Sequence, residues 1–271
     1  MFNILLFFFL FLNNVIFFAP NSYAEECQED IPQLMQKAEQ GNADAQFYLG
    51  FAYTKDLEEL PQDYKKAFEW TYKAAQQNHI KAQYNLGIMY TKGLGVTKDL
   101  SNAYKWFKKA ADQGNATAQY HAGFMLYLGQ GVSQNYEQAF DLFTKSAEQG
   151  KVESQYNLGI MYQNGQGTTQ NFQKAIEWYQ KATAQNYPSA FLNLGNMYAA
   201  GQGVKQDYQK ATELYIQAAN LENAQAQFNL GIIYSNGLGV KQNHNTAKEW
   251  FKKACDNGEQ QSCDEYNKLN K

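Results

Sequence analysis

The sequence predicts an all-α fold, a right-handed α-solenoid of about six helix-turn-helix repeats with a capping helix at each end. The first observation is the motif Ala-Gln-(Tyr/Phe)-x-Leu-Gly, whose six copies, with small variations, lie 37 residues apart once and 36 apart four times. The second is a Gly-x-Gly turn after five copies, and the third is an Asp or Asn before each second helix. Such a period is typical of solenoids, in which each unit buries its apolar face against its neighbours. The closing glycines of the motif are Gly50, Gly87, Gly123, Gly159, Gly195 and Gly231.

The first helix of each repeat carries this motif, and residues 80–91 illustrate it. Ala82 and Gly87 are small, so we expect them where neighbouring helices approach closely. Tyr84 and Ile88 make the other side apolar as well. A helix that is apolar almost all round must pack between neighbours.

Each first helix is predicted to end at the Gly-x-Gly turn, because glycine adopts left-handed backbone angles at little cost. A glycine pair can also suggest a phosphate cradle, but no predicted strand precedes it and no third glycine follows at the required spacing. We therefore interpret the turn as structural. Its five copies begin at Gly93, Gly129, Gly165, Gly201 and Gly237.

The second helix of each repeat is predicted to begin at an Asp or Asn, because these residues cap helix N-termini by accepting backbone N–H bonds. An alanine follows four residues later, and a Trp or Leu three residues after that. Small alanines can receive the large side chains of a neighbour, so we expect the four tryptophans of the chain in the core. The capping residues are Asp63, Asp99, Asn135, Asn171, Asp207 and Asn243.

Two repeats depart from the pattern, and the ends carry additional helices. The first repeat has residues 56–61 in place of the Gly-x-Gly turn, and the fifth has Phe191 in place of the motif's glutamine. We predict lone capping helices near residues 28–40 and 259–270, because end repeats expose a face that internal repeats bury. The predicted division is a cleaved signal peptide at 1–24, an N-terminal capping helix at 25–42, six repeats at 43–258 and a C-terminal capping helix at 259–271.

The first residues are predicted to be an export signal. Residues 4–18 form a short apolar run broken by two asparagines, and the small residues Ser22 and Ala24 suit cleavage after Ala24. An uncleaved membrane anchor is the alternative, but a span needs about 20 apolar residues. Cys27 does not directly follow the predicted cut, so a lipoprotein signal is not supported. We expect a periplasmic or secreted chain with no stable membrane span after cleavage.

The charge of the chain argues against two classes of partner. The formal net charge is −3, and residues 1–24 carry no charged side chain, so the mature chain keeps this value. Nucleic-acid binding needs a basic face, and recognition of an acidic membrane needs a polybasic patch. We expect neither.

The three cysteines fall in two places. Cys255 and Cys263 are eight residues apart, at the end of one predicted helix and the start of the next. An exported chain meets an oxidising compartment, so a disulfide there is chemically reasonable; the alternative is two small core residues. Cys27 is left either as a free thiol or as a link to a second chain, which would make the protein an envelope dimer.

One full repeat runs through Ala82–Tyr90, Gly93–Val96 and Asp99–Ala111. This string resembles the Sel-one-like repeat (SLR), a relative of the tetratricopeptide repeat, and the resemblance extends over about residues 43–258. It implies an α-solenoid that acts as an adaptor or scaffold for protein complexes, and exported bacterial members are often associated with envelope functions or host interaction. A cysteine-rich branch joins the two helices of a repeat by a disulfide with the spacing of Cys255 and Cys263. Some members of that branch are described as penicillin-binding or β-lactamase-like, which is the alternative function.

No catalytic constellation is found in the sequence. Serine enzymes that recognise penicillin need Ser-x-x-Lys and Lys-Thr-Gly, and this chain has neither motif. His79, His121 and His244 are scattered singly, so we expect no metal, no cofactor and no enzyme. We interpret His79 as a structural loop residue and place His244 at a tyrosine-like core position.

The candidate binding residues lie at helix positions that packing does not use. In tetratricopeptide-type solenoids the first helices line a concave groove, so we place one stripe of these helices there by analogy. Asparagines recur in the stripe, and each amide can donate to and accept from the backbone of an extended peptide. The alternative is that they join the first helices of successive repeats. The candidate groove residues are Tyr48, Asn85, His121, Asn157, Asn193 and Asn229, and the expected partner is a protein or peptide.

Overall fold

The computed structural model describes residues 30–269, which form fourteen α-helices and no β-sheet. The all-α repeat class is therefore confirmed for this part of the chain. The predicted signal peptide at 1–24 and Cys27 lie outside the described residues. The helices are α1 (Ile31–Glu39), α2 (Ala43–Ala52), α3 (Tyr64–Gln76), α4 (Ile80–Lys92), α5 (Leu100–Asp112), α6 (Ala116–Leu128), α7 (Tyr136–Glu148), α8 (Val152–Asn164), α9 (Phe172–Thr183), α10 (Pro188–Ala200), α11 (Tyr208–Asn220), α12 (Ala224–Asn236), α13 (His244–Asp256) and α14 (Gln260–Lys268).

The helices fall into two compact units. The first ends at Lys145 and the second begins at Ser146, so the boundary lies within α7. Each unit has its own apolar core, which includes Leu49 and Leu86 in the first and Leu230 in the second. None of the fourteen helices has both the length and the apolar character that crossing a membrane requires.

The predicted turn and cap residues set the helix boundaries within a repeat. Gly93 ends α4 in the left-handed conformation, with φ of 73°. The Asp99 carboxylate accepts from the backbone N–H of Asn102 at 3.0 Å and so caps α5. The N–H of Asp99 also donates to the carbonyl of Tyr90 at 2.9 Å, which fixes the turn against the first helix. The other predicted caps, Asp63, Asn135, Asn171, Asp207 and Asn243, accept equivalent bonds and are confirmed.

The closing glycine of the motif lets the two helices of a repeat touch. A Cβ atom on Gly195 would lie 2.7 Å from Cε1 of Tyr215, which is closer than a folded interior accommodates without a shift. The prediction of small residues at points of close helix approach is confirmed here. The residues that face the six closing glycines from the second helices are Thr71, Phe107, Phe143, Tyr179, Tyr215 and Phe251.

The second glycine of the turn packs on the first residue of the second helix in the preceding repeat. Within the second unit, a Cβ atom on Gly239 would lie 2.6 Å from Cβ of Tyr208, the first residue of α11. No Gly-x-Gly turn follows the sixth repeat within residues 30–269, and its equivalent residue, His244, is exposed. The prediction of a core position for His244 is therefore wrong.

A buried glutamine joins three helices in the regular repeats. Gln83 is 1% exposed, and its Nε2 donates to the carbonyl of Ala75 at the end of α3 at 3.3 Å. Its Oε1 accepts from Nε2 of Gln113, just after α5, at 2.7 Å. The glutamine of the motif therefore ties its own helix to those before and after it. The equivalent ties in the second unit join Gln155 to Ala147 and Gln185, and Gln227 to Ala219 and Asn257.

The fifth repeat lacks both members of this tie. Phe191 replaces the glutamine, and Leu221 replaces the Gln or Asn that donates to it elsewhere. Leu221 is 41% exposed. The next residue, Glu222, has φ of 61°, a conformation that Gly150 and Gly258 adopt at the equivalent positions. The turn between α11 and α12 is therefore both apolar and strained.

The two end helices supply neighbours to the terminal repeats. α1 packs on α2, and Nε2 of Gln46 donates to the carbonyl of Ala38 at 3.0 Å. α14 packs on α13, and a disulfide between Cys255 and Cys263 joins them. The predicted lone helix at each end and the predicted disulfide are both present.

The tryptophans are less buried than predicted. Trp106 is buried, but Trp70, Trp178 and Trp250 are only half-buried. A lysine three residues later lies over each of the four rings, as Lys73 does over Trp70 at 3.8 Å. The lysine stem covers an apolar ring while its charged end remains hydrated. The prediction of core tryptophans is therefore correct for Trp106 and overstated for the other three, of which Trp70 and Trp250 pack against the core while only half-buried.

Candidate functional site

The six candidate groove residues occupy one position, two residues before the closing glycine, on the first helix of each repeat. We call this position the groove register. Three members lie in the first unit and three in the second. The members are Tyr48 on α2, Asn85 on α4, His121 on α6, Asn157 on α8, Asn193 on α10 and Asn229 on α12.

In the first unit the groove register takes part in packing. Tyr48 is half-buried, with its ring at an edge-to-face angle to Phe47 and 5.2 Å between centroids. Asn85 is 2% exposed, and its Oδ1 has no hydrogen-bond partner among the described residues. His121 stacks on Phe107 at 5.0 Å, and its Nε2 lies 3.3 Å from the Tyr84 hydroxyl. The contacts of His121 join α6 to α4 and α5, whereas Tyr48 packs against the core of the first unit from α2.

Asn157 differs from its neighbours in the second unit. Its side chain is half-buried and makes no hydrogen bond within residues 30–269. Both the donor and the acceptor of this amide are therefore available on the surface of α8.

Asn193 is tied to the preceding repeat through its amide nitrogen. Its Nδ2 donates to the hydroxyl of Tyr156 on α8 at 3.3 Å and to that of Tyr179 on α9 at 3.2 Å. The Tyr179 hydroxyl in turn donates to Oε1 of Gln163 at 2.8 Å. Because an amide nitrogen carries two hydrogens, these bonds use both donors of Asn193 and leave its Oδ1 available.

Asn229 belongs to a second group of hydrogen bonds, centred on Asn196. The Tyr215 hydroxyl donates to Oδ1 of Asn196 at 2.7 Å, and Nδ2 of Asn229 donates to the same oxygen at 3.2 Å. Oδ1 of Asn229 accepts from Nε2 of Gln225 at 3.4 Å. Asn196 is exposed, and its Nδ2 has no partner within residues 30–269. The amide of Asn196 is therefore held at its oxygen and open at its nitrogen.

The protonation of Tyr215 supports this arrangement. Burial raises the pKa of Tyr215 to about 12, and the nearby amide of Asn229 partly opposes this effect. A tyrosine hydroxyl is protonated at neutral pH even at its ordinary pKa of about 10, and that of Tyr215 donates to Oδ1 of Asn196.

Three members of these groups depart from the repeat pattern and were not identified from the sequence. Tyr179 and Tyr215 lie where three other repeats have Phe107, Phe143 and Phe251 and the first has Thr71. Asn196 lies where every other repeat carries an Ile or Phe. These residues can be recognised in the sequence because each adds a hydroxyl or an amide at a position that is apolar in most of the other repeats. Packing at these positions needs only an aromatic or aliphatic side chain, so the added polar atoms require a separate reason.

The first helices around these groups carry almost no charge. α10 and α12 have no charged residue, and α8 has only Glu153, to whose Oε1 Lys151 donates at 3.1 Å. Nearby Tyr187 has a raised pKa, chiefly because of burial and secondarily because of Tyr156 and Glu153. This helix face therefore offers hydrogen bonds without a net electrostatic attraction.

His79 has a structural role that uses both ring nitrogens. Its Nδ1 accepts from the backbone N–H of Ala82 at 3.0 Å and so caps α4. Its Nε2 lies 3.0 Å from Oδ1 of Asp44, and its ring stacks on Phe47 at 4.6 Å. Only the neutral imidazole with its proton on Nε2 makes both bonds. Burial lowers the pKa of His79, although Asp44 opposes this effect. The structural interpretation of His79 is confirmed.

The described residues provide hydrogen-bonding groups suited to binding a partner. No group of three or more His, Cys, Asp or Glu side chains within residues 30–269 is arranged to hold a metal ion. What the second unit presents is a set of carboxamides fixed by tyrosine hydroxyls on rigid helices. Such groups recognise hydrogen-bonding partners with defined geometry.

The fold and these surfaces define an all-α repeat scaffold. A model of the Sel1 repeat matches six consecutive segments, residues 43–79, 80–115, 116–151, 152–187, 188–223 and 224–259. The chain therefore belongs to the Sel1 repeat family. Proteins of this family are generally non-catalytic scaffolds that mediate protein–protein interaction.

Two of the solved structures that are similar to this chain exceed 30% identity and a TM-score of 0.5. One is c5321, a protective antigen present in uropathogenic Escherichia coli strains and displaying an SLR fold, with 34% identity and a TM-score of 0.70 over 87% of this chain and 58% of the antigen. The chain thus spans a little over half of the antigen's length. The other is a Sel1 repeat protein from Oxalobacter formigenes, with 32% identity and a TM-score of 0.71 over 83% of this chain and 89% of that protein. None of the curated proteins is similar enough in sequence to count as a match.

Proposed function

We propose that the protein is an exported adaptor of the bacterial envelope or of host interaction, which binds a protein or peptide along the first helices of its repeats and has no catalytic activity. The observation that carries the proposal is Asn157, whose amide is half-buried but makes no hydrogen bond within residues 30–269. The amides at the same position of the next two repeats, Asn193 and Asn229, donate to side chains of other helices, so Asn157 is the member of the second unit whose donor and acceptor are both left for a partner.

Two observations support export. The sequence begins with a short apolar run followed by small residues suited to cleavage after Ala24. Cys255 and Cys263 form a disulfide, a bond that persists in oxidising compartments such as the periplasm or the cell exterior.

The experiment compares two single variants of the mature chain. Asn157→Ala is expected to weaken capture of a crosslinked envelope partner while leaving the melting temperature unchanged. Asn193→Ala is expected to lower both partner capture and the melting temperature, because its amide joins α10 to α8 and α9. Glu177→Ala, at an exposed position of α9, is the surface control. Loss of stability and of binding in equal measure with Asn157→Ala would contradict the proposal.

A direct assay tests the absence of catalysis. The mature chain is incubated with a penicillin, and the formation of the hydrolysed product is followed. We expect the rate of the buffer alone, because the chain has no Ser-x-x-Lys sequence to supply a nucleophile and its base. Turnover that depends on the protein would show the enzymatic alternative instead.

A further inference from the structure

We infer that Asn193 and Asn196 together form a reader of peptide backbone on α10, with Oδ1 of Asn193 accepting from a backbone N–H and Nδ2 of Asn196 donating to a backbone carbonyl. This inference rests on the proposed function and specifies its ligand, an extended and uncharged peptide segment. It concerns the second unit alone.

The hydrogen bonds within the site determine which atoms remain available. Both Nδ2 hydrogens of Asn193 are directed to the hydroxyls of Tyr156 and Tyr179, so its oxygen is the open group. Oδ1 of Asn196 accepts from Tyr215 and Asn229, so its nitrogen is the open group. The two amides are thus oriented in opposite senses, and together they present one acceptor and one donor.

The two open groups suit the edge of an extended chain. Asn193 and Asn196 are three residues apart on one helix, which makes their side chains neighbours about 5–6 Å apart at Cβ. A residue in an extended strand directs its N–H and its carbonyl to the same edge, as in the hydrogen-bonded pairs of a sheet. The acceptor of Asn193 and the donor of Asn196 are therefore complementary to the N–H and the carbonyl of one peptide residue.

The surrounding charge narrows the class of ligand. α10 has no charged residue, and neither has α12. A charged segment would lose hydration there without gaining an opposite charge, which is unfavourable. A backbone with small polar or apolar side chains loses less, so the affinity is expected to change little with ionic strength.

The tyrosines act as positioning residues. Elsewhere in the chain this position holds Phe107, Phe143 or Phe251 against the closing glycine, so the ring alone satisfies the packing. The hydroxyls of Tyr179 and Tyr215 add the bonds that fix the two amides, and that of Tyr179 also donates to Gln163. Asn196 likewise lies where Ile160 and Ile232 are found in the neighbouring repeats.

These natural alternatives provide variants that are expected to fold. A random peptide library displayed on phage is selected on the mature chain, and the dissociation constants of the selected peptides are measured. Asn196→Ile is expected to weaken binding about tenfold, and Tyr215→Phe by a smaller factor, with unchanged melting temperatures. Phe251→Tyr, at the same position in the next repeat, is the control and is expected to have no effect.

Backbone recognition is tested on the peptide itself. Each amide of a selected peptide is N-methylated in turn, and one modified peptide is expected to lose about tenfold in affinity for the native chain. The same peptide is expected to lose nothing further against Asn193→Ala, because the acceptor of that N–H is already gone. A merely structural role of Asn193 would leave the two losses additive.

The outcomes separate the inference from the proposed function. Peptides that bind the native chain and Asn196→Ile equally, with additive N-methyl losses, would overturn the backbone reader and leave the adaptor proposal intact. Failure to select any peptide, with binding of the chain to a glycan array instead, would overturn both.

Discussion

The ring of Phe107 lies directly over Gly87, so closely that a Cβ atom on Gly87 would be 2.5 Å from Cδ1 of the ring. Gly87→Ala is therefore expected to destabilise the first unit by about 1–3 kcal/mol through overpacking, although alanine favours helix by roughly 1 kcal/mol. Urea unfolding followed by circular dichroism measures the change. Gly123→Ala is the control, because its Cβ would lie 3.2 Å from Phe143 and needs a smaller adjustment. An equal effect of the two variants would contradict the explanation.

The buried glutamine tie predicts a coupling between Gln83 and Gln113. Gln83→Leu leaves the Ala75 carbonyl without its side-chain donor and is expected to cost about 1–3 kcal/mol. Gln113→Leu is expected to cost less in the Gln83→Leu background than in the native chain, because the bond between the two side chains is already lost. A double-mutant cycle from urea unfolding measures this coupling. Gln76→Leu, at the exposed end of α3, is the control and should be near neutral. Additive costs would contradict a direct tie.

His79 predicts a dependence of stability on pH. The folded state favours the neutral imidazole, because burial lowers the pKa of His79 and Nδ1 must accept from Ala82. The unfolded chain therefore binds more protons once the pH falls below the ordinary value of about 6.5, and stability is lost from there down through the folded pKa. The slope from this residue reaches at most ~1.4 kcal/mol per pH unit. Asp44 and Lys81 are the charged groups that act on the ring.

The control for this prediction is His79→Asn. Asn42, Asn115 and Asn223 occupy the same cap position and accept the same backbone bond. The variant should therefore retain the cap and lose this part of the pH dependence. Melting temperatures of both proteins from pH 8 to pH 4, about two units on either side of the ordinary histidine pKa, provide the comparison. Parallel curves would contradict a role for His79.

The turn between α11 and α12 predicts a stabilising substitution. Glu222 has φ of 61°, and a non-glycine residue in this region costs roughly 1–2 kcal/mol. Glu222→Gly is expected to stabilise the chain by about 0.5–1 kcal/mol, because glycine relieves the backbone strain but loses more conformational entropy on folding. Gly258→Ala, at the equivalent turn with open space around Cβ, should destabilise for the same backbone reason. Thermal melts measure both, and a loss of stability with Glu222→Gly would contradict the strain.

Most of the fold could be predicted from the sequence because the same pattern of packing, turn and cap residues occurs in six repeats. Residue type and spacing correctly predicted the turn glycines such as Gly93, the helix caps such as Asp99 and the disulfide between Cys255 and Cys263. The tryptophans were misjudged because large rings indicate burial, whereas three of them lie at the edge of the core under lysines. His244 was misjudged because its position is covered only when another repeat follows.

The candidate site was predicted less completely. The groove register was visible as a recurring asparagine, but the availability of each amide depends on partners from other helices. Asn157 and Asn193 have similar sequence contexts, Tyr-Asn-Leu-Gly and Leu-Asn-Leu-Gly, which differ only in the residue before the asparagine. Their hydrogen bonding differs because Asn193 lies beside the hydroxyls of Tyr156 and Tyr179. Periodicity describes what the repeats share, and so it did not identify Asn196, which is an exception to the period.

The most direct measurement of the central claim, that the first helices bind the partner, is site-specific photocrosslinking in the native envelope. A photoreactive amino acid is placed at Asn157 on α8, and in a second protein at exposed Glu177 on α9. We expect a defined adduct from position 157 and none from position 177. An adduct from position 177 alone, or the same pattern from both positions, would contradict the claim.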